Sequence, residues 1–245
     1  MRAATDTLTL LDWSGNLWTG FQLTLLATVL GALLMFVISV VLGLMVRSKR
    51  LSVRGPARIV IEFFRGTSLL IQLWWLFFAL PLLGIQLEAL AVGVIALGLN
   101  FGAYGAEVVR GSLNAVPGPQ WEAAIALNLS PRQRIQRVIW PQAVALMIPA
   151  FNNLFIQLLK STPLLFTITL TDLTYYGDQF RNNTLNNSIY LVILVIYFVT
   201  TYAFTFLFTL AEVRANTKLG RREGFASIFK SLRVTREPDE EVGVR

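Results

Sequence analysis

Histidine and cysteine are both missing from the 245-residue chain. Without them there is no zinc or haem site of the usual kind, no Ser-His or Cys-His catalytic pair and no disulfide. The lack of cysteine leaves the redox compartment open. Charge is scarce as well: Asp, Glu, Lys and Arg make up 14% of the chain, against about a quarter in soluble domains, while 55% is hydrophobic. A chain so poor in charge cannot cover a water-facing surface, and it is expected in lipid. Catalysis by carboxylates or lysine stays formally open, but the acids number only 14 and most lie outside the apolar runs. The chain therefore does not read as an enzyme. Its net charge of +7 raises the question of nucleic acid. Basicity without a soluble surface reads instead as membrane-flanking charge, with no nucleic-acid partner expected.

Five long stretches are free of Asp, Glu, Lys and Arg: Trp13 to Val46, Gly66 to Leu87, Ala89 to Ala106, Val138 to Leu159 and Asn182 to Ala211. Each supplies the roughly 20 apolar residues that cross a bilayer as a helix. In hydrocarbon every backbone polar group must be paired within the segment, so these runs predict helices. The expected fold is an all-α integral membrane protein with five transmembrane helices, at 18–46, 67–84, 88–109, 142–161 and 188–212. The first run exceeds a signal-peptide core and is followed by basic residues, so it reads as a retained span.

The cations set the orientation, because Lys and Arg resist translocation. All 21 except Arg2, Lys160 and Arg181 fall in three segments: Arg47 to Arg65, Arg110 to Arg137 and the tail from Glu212 onward. These segments share one side, which predicts the N-terminus outside and the C-terminus in the cytoplasm. The layout is an extracytoplasmic leader over 1–17, a transmembrane domain over 18–212 with a cytoplasmic loop at 110–141, and a cytoplasmic tail over 213–245. Beyond Arg221 the tail is polar, ending with Glu237, Asp239, Glu240 and Glu241, and is expected to be solvated and partly disordered. Between the first two spans, Ile59, Val60, Phe63 and Phe64 share a helical stripe opposite Arg58 and Glu62. Two readings are open there: a helix lying in the interface, and an extension of span two.

The loop between spans three and four is longer than a simple connection needs. Pro119 stands where a first helical residue would, Gln120 to Leu127 continues with helix-compatible residues, and Asn128 offers a left-handed stop. Ser130, Pro131 and Gln133 then form a capping-box pattern that predicts a second helix from Pro131 to about Trp140. A defined turn between capped helices suits transmission of force to a partner better than it suits a spacer.

The stretch Glu122-Ala123-Ala124-Ile125-Ala126-Leu127-Asn128, closing at Trp140-Pro141-Gln142-Ala143, resembles the EAA loop of permease subunits in ATP-binding-cassette (ABC) importers. Three further segments resemble the polar amino-acid branch of that family: Phe64 to Leu73, Leu99-Asn100 through Tyr104 and Glu107 to Gly111, and Leu159 to Leu165. The resemblance runs from about Gly20 to Ala211, with the motifs in the family's order. It implies a type I importer permease fold with a cytoplasmic coupling loop, in a bacterial cytoplasmic membrane. It also implies three partners: a second permease chain, identical or paralogous, a cytoplasmic ATPase dimer docked on the EAA loops, and an extracytoplasmic binding protein. The coupling residues would be Gln120, Glu122, Ala123, Ala124, Leu127, Asn128, Ser130, Pro131 and Gln133. No G-x-x-x-x-G-K-[ST] sequence occurs, so ATP and Mg would be held by the ATPase and this chain would bind no cofactor. The sequence departs from the family in three places. Asn128 stands where Gly is usual, Lys160-Ser161-Thr162-Pro163 replaces Lys-Asp-Thr-Ser, and Gly118-Pro119 replaces a basic residue followed by Gly. Asn is the residue besides Gly that best tolerates a left-handed conformation, so the turn is expected to survive.

Polar side chains in hydrocarbon default to a bundle interior, a partner or a water-filled path. Asn100, Tyr104 and Glu107 share one helical face of span three, and Asn153, Gln157 and Lys160 repeat the spacing on span four. As stripes beside a lumen they would suit a zwitterion, Glu107 meeting its cation and Lys160 its anion. Structural roles are open as well and weigh more: Glu107 paired with Arg110, Lys160 snorkelling outward, and the amides bonding between helices. Gly98, Gly102 and Ala106 have the spacing of close helix packing, and Trp74, Trp75, Phe77 and Phe78 read as packing or lipid-facing aromatics. The expected function is ATP-driven import of a polar amino acid or related zwitterion, with a compatible solute such as ectoine as the alternative. A secondary transporter or a membrane-embedded enzyme is the reading from another class.

Overall fold

The computed structural model describes residues 13–218, with side chains described as far as residue 210. Most of the expected leader and the tail from residue 219 lie outside the described residues. Every regular element among the described residues is helical. Helix α1 spans Ser14–Val46 and α2 spans Leu51–Gly66. Next comes α3 at Leu69–Trp74, which continues as a π turn at Trp75–Ala79 and a 3-10 turn at Leu80–Leu83. Helix α4 covers Ala89–Asn114 and the short α5 covers Gly118–Ala126. A rod then runs from Pro131–Gln133 through a π turn at Arg134–Ile139 into α6, Trp140–Ser161, and ends in a 3-10 turn at Thr162–Ile168. Helices α7, Leu173–Thr184, and α8, Ile189–Lys218, complete the described chain.

The centre of the bundle is the seam between α1 and α4, where glycines remove the side chains that would hold the helices apart. A Cβ on Gly98 would lie 2.6 Å from the Leu34 side chain, and one on Gly102 would lie 2.7 Å from that of Ile38. Ser39 sits in the same seam, donating to its own helix at Met35 (2.6 Å) and across to the Gly102 carbonyl (3.2 Å). Around it Ala27, Met35, Val92, Leu97, Phe101, Leu158 and Leu165 form the main buried cluster. The small-residue spacing on span three thus serves packing, as expected.

Among the described residues four helices are long and apolar enough to cross a membrane, or five if the bent pair Leu51–Gly66 and Leu69–Leu83 counts as one span. That pair bends by 105°, which makes α2 a separate helix and removes the reading of it as a straight extension of span two. Ala57 and Ile61 are buried beneath α2, while Ile59 and Phe63 are exposed. Span two, expected as one helix over 67–84, is an α turn, a π turn and a 3-10 turn ending at Gly84 with φ 85°.

Two other expectations change. The second loop helix does not stop near Trp140 but merges with span four. The π turn at Arg134–Ile139 widens the backbone just ahead of Pro141, whose ring would otherwise clash with the carbonyl four residues back. Helix α7 was not expected at all. Asp172 caps it by accepting from the Tyr175 N–H (2.8 Å), and the Leu173 N–H donates to Thr24 of α1 (3.1 Å). The Asp172 carbonyl lies 2.8 Å from where a Cβ on Gly20 would be, so α7 packs close against α1.

Candidate functional site

The loop after α4 is built from local signals. Helix α5 begins at Gly118-Pro119 and ends on Asn128 with φ 52°. The Asn128 N–H donates to the Ile125 carbonyl (2.9 Å) and the Leu129 N–H to the Ala124 carbonyl (3.2 Å). These are the two bonds of a Schellman motif, which satisfies carbonyls that a helix end leaves free. The capping box follows at once: the Gln133 N–H donates to Ser130 Oγ (3.4 Å), and the Ser130 N–H to Gln133 Oε1 (3.0 Å). Arg134 Nε donates to the Leu129 carbonyl (2.7 Å), and Gln142 Nε2 to Gln120 Oε1 (3.2 Å), so the turn and α5 are both tied to the rod. Ala124 is buried against this scaffold, whereas Gln120, Glu122, Ala123, Leu127, Asn128, Ser130 and Pro131 are exposed. Leu127 is 73% exposed and Ile125 52%, with Ile135 exposed nearby in the chain. Ile125 and Ile135 escaped the sequence reading. Large apolar side chains on a loop outside the spans were the signal for them.

The polar face of α4 divides in two. Asn100 is 6% exposed and its amide is engaged, donating to the Phe64 carbonyl (3.0 Å) and to Gln72 Oε1 (3.3 Å). Gln72 in turn donates to the Phe64 carbonyl (3.1 Å) and Thr67 Oγ1 (2.7 Å), and Thr67 donates to the Phe63 carbonyl (2.8 Å). Tyr104 donates to the Arg65 carbonyl (3.3 Å), and the Arg65 guanidinium stands 5.4 Å from its ring centroid. Carbonyls in the last turn of α2 are thereby satisfied by side chains of α3 and α4, at the place where the 105° bend opens the backbone. Gln72 and Thr67 were not expected to act here. A lone glutamine inside the apolar run Leu69 to Phe78 was the available signal.

Glu107 accepts from Arg110 Nε (2.9 Å) and Nη2 (2.6 Å), the local pairing that the sequence left open. Asn153, Gln157 and Lys160 are all exposed on α6, and Lys160 makes no ion pair among the described residues. The structure does not bring Glu107 and Lys160 together. The foot of α4 packs with Ile139 and Ala143, whereas Leu158 packs with Val92 and Leu97 near its head. At about 1.5 Å per residue, Glu107 and Lys160 are therefore separated by roughly 20 Å along the bundle, too far for one small zwitterion to touch both.

At the Lys160 end lies one buried carboxyl outside the spans. Asp172 is fully buried, and burial pushes its pKa from 3.8 up to about 6 against the opposing pull of the Tyr175 N–H. Its Oδ2 has no hydrogen-bond partner among the described residues.

Comparison with known proteins gives this arrangement a family. Residues 36–216 match the family described as "Binding-protein-dependent transport system inner membrane component". A probable amino-acid ABC transporter permease protein of Sinorhizobium fredii is 46% identical over 185 residues, covering 70% of this chain and 76% of that one. An L-cystine transport system permease protein of Bacillus subtilis is 34% identical over 160 residues, covering 65% and 67%. Among solved structures, an amino acid ABC transporter crystallised with histidines superposes with a TM-score of 0.80 at 33% identity, over 84% of this chain and 97% of that one. With most of its length matched and a relative nearly half identical, the chain belongs to the family of binding-protein-dependent transport system inner membrane components.

Proposed function

We propose that this chain is the membrane-spanning subunit of an ABC importer for a polar amino acid or a related zwitterion. ATP and Mg are bound and hydrolysed in a partner ATPase dimer, a second permease chain completes the pathway, and an extracytoplasmic binding protein delivers the solute. The chain sits in a bacterial cytoplasmic membrane with five spans, the second being the bent pair, its N-terminus outside and its C-terminus inside. The leader, the transmembrane domain with its loop at 110–141 and the tail keep the boundaries given above. The observation that carries the coupling role is the turn centred on Asn128: two capped helices, tied to the rod, present Leu127 and Ile125 outside the spans, exposed among the described residues. The names of the relatives support the solute class, since they include amino-acid and cystine permeases.

Closure of the ATPase dimer moves the turn, and the rod carries that movement to Asn153, Gln157 and Lys160, whose exposed polar face borders the solute path. ATP and the loaded binding protein must each bind one conformation better than the other, because a ligand shifts an equilibrium only through differential affinity. The test is uptake by proteoliposomes holding the complex, with polar amino acids and ectoine as competing solutes. Uptake is expected only with ATP and binding protein. Uptake driven by an imposed ion gradient without ATP would support a secondary transporter and overturn the reading. Lys160→Met and Gln157→Leu are expected to lower uptake with assembly intact, and unchanged kinetics would remove both residues from the path.

A further inference from the structure

A cavity of about 430 Å³ opens on the side of the bundle between α1, α6 and α8. Among the described residues its walls carry only apolar side chains, among them Val29, Phe36 and Val40 from α1, Trp140 and Val144 from α6, and Phe208 from α8. Val40 and Trp140 pack in one cluster, so they mark the same end of the groove. The groove extends roughly 16 Å along α1 and roughly 22 Å along α6. The length along α1 matches one leaflet, about 15 Å, of a hydrocarbon core about 30 Å thick, and the length along α6 reaches somewhat beyond it.

A cation stands at the Val40 end. Arg47 follows Val40 by seven residues, two helical turns, and so lies on the same face of the chain. Its guanidinium is 5.9 Å from the centroid of Trp121, which packs in the cluster that holds Val40 and Trp140. Among the described residues Arg47 is paired with no carboxylate. Helix surfaces that pack together in membranes are rich in small residues, and this groove, Ala32 apart, is walled by large aromatic, branched and methionine side chains. Such walls suit a flexible chain better than a second helix.

We propose that this groove is a binding site for an anionic phospholipid of the leaflet at the Arg47 end, with one acyl chain between α1 and α6 and the phosphate on Arg47. Basic positions beside spans attract acidic headgroups, and the apolar trough adds the contact area that fixes one lipid in place. The proposal depends neither on the solute nor on the direction of transport.

The purified complex, exchanged with phosphatidylglycerol and phosphatidylethanolamine of identical acyl chains, is examined by native mass spectrometry. Phosphatidylglycerol is expected to be retained about fivefold over phosphatidylethanolamine, the ratio that one cation near a membrane surface provides. Arg47→Gln should bring the ratio to about one, and Val144→Trp, at a partly exposed position in the groove, should remove retained lipid of both kinds. As a check that needs no variant, phosphatidylglycerol with a diazirine midway along the chain should label 29–40 and 140–151. Equal retention of the two lipids, a ratio unmoved by Arg47→Gln, lipid kept by Val144→Trp, labelling spread along Leu191, Leu194 and Phe198, or a second copy of this chain crosslinked into the groove would each overturn the proposal.

Discussion

The buried amide pair at the bend makes the most specific prediction. Asn100 and Gln72 are 6% and 7% exposed, and together they supply the donors for the Phe64 carbonyl. Asn100→Ala leaves Gln72 Oε1 without its donor, and stranding a buried polar atom costs ~1–3 kcal/mol. Gln72→Ala leaves the Asn100 amide with the Phe64 carbonyl alone and frees Thr67 Oγ1, so its cost should equal or exceed that of Asn100→Ala. Interhelical hydrogen bonds in membranes average only about 0.6 kcal/mol and reach about 1.7, which places the expected loss for each single change nearer ~1 than ~3 kcal/mol. The double variant should then be less damaging than the sum of the singles by about 1 kcal/mol, because the second change removes a partner already idle. The assay is unfolding of the purified complex in mild detergent across the four proteins, with uptake kinetics measured in parallel. If Asn100→Ala raised the KM for solute while its unfolding midpoint matched wild type, the amide would be a solute contact and its role in satisfying the α2 carbonyls would fail as the explanation. Strict additivity would refute it as well.

The left-handed turn should rank its substitutions: Asn128→Gly is neutral, Asn128→Val costs about 1–2 kcal/mol, and Asn128→Pro, which also removes the N–H bonded to Ile125, uncouples solute-stimulated ATP hydrolysis from uptake. Hydrolysis and uptake left intact by the proline would show that the turn transmits nothing. In the α1–α4 seam, Gly102→Val should lower the unfolding temperature by overpacking worth ~1–3 kcal/mol, whereas Gly111→Ala, with nothing within 4 Å, should be tolerated; equal effects would contradict the seam. For Asp172, a pKa raised from 3.8 to about 6 means that the folded state holds the proton more tightly than the unfolded one. Its contribution is complete below pH 3.8 and is lost as pH rises through about 6, a difference of ~3 kcal/mol. Asp172→Asn, which keeps a capping oxygen, should therefore raise the melting temperature at pH 8 and change it little at pH 4. A shift of the same size at both pH values would show that the charge is not the cause.

What the sequence made legible was local. Asn128, Ser130 and Gln133 announce a left-handed stop and a capping box because those bonds close within five residues, and both are present at the expected positions. The glycines on span three announce close packing by their spacing alone. The bend between α2 and α3 was not legible, because it is stabilised from α4, by Asn100 and Tyr104 reaching carbonyls 36 and 39 residues away in sequence. Helix α7 was missed for a related reason. Its sequence Leu-Thr-Tyr-Tyr-Gly-Asp-Gln-Phe-Arg-Asn-Asn-Thr is too short and polar to read as a span, its buried face is just Leu173, Gly177 and Phe180, and its docking uses Thr24 from 149 residues earlier. Pro141 misled in the opposite direction: a proline reads as a helix boundary, and only a π turn let the rod pass through it.

That π turn has a mechanical consequence. The rod is the only continuous helical path from the exposed turn to Asn153, Gln157 and Lys160 among the described residues, and α5 is tied to it through Gln120–Gln142 and Leu129–Arg134. The extra residue in the π turn sets the angle at which α5 leaves the bundle. Removing it by deleting Gln136, together with Pro141→Ala so that an α turn can form without a clash, rotates the capped turn by about 100° and draws it in by about 1.5 Å. Leu127 and Ile125 would then face another direction while α1, α4 and α6 keep their contacts. The expected result is loss of the partner ATPase during co-purification with the unfolding temperature nearly unchanged, and Pro141→Ala alone should keep the ATPase. If the shortened rod captured the ATPase as well as wild type, the direction of the turn would not matter and docking would have to use another surface.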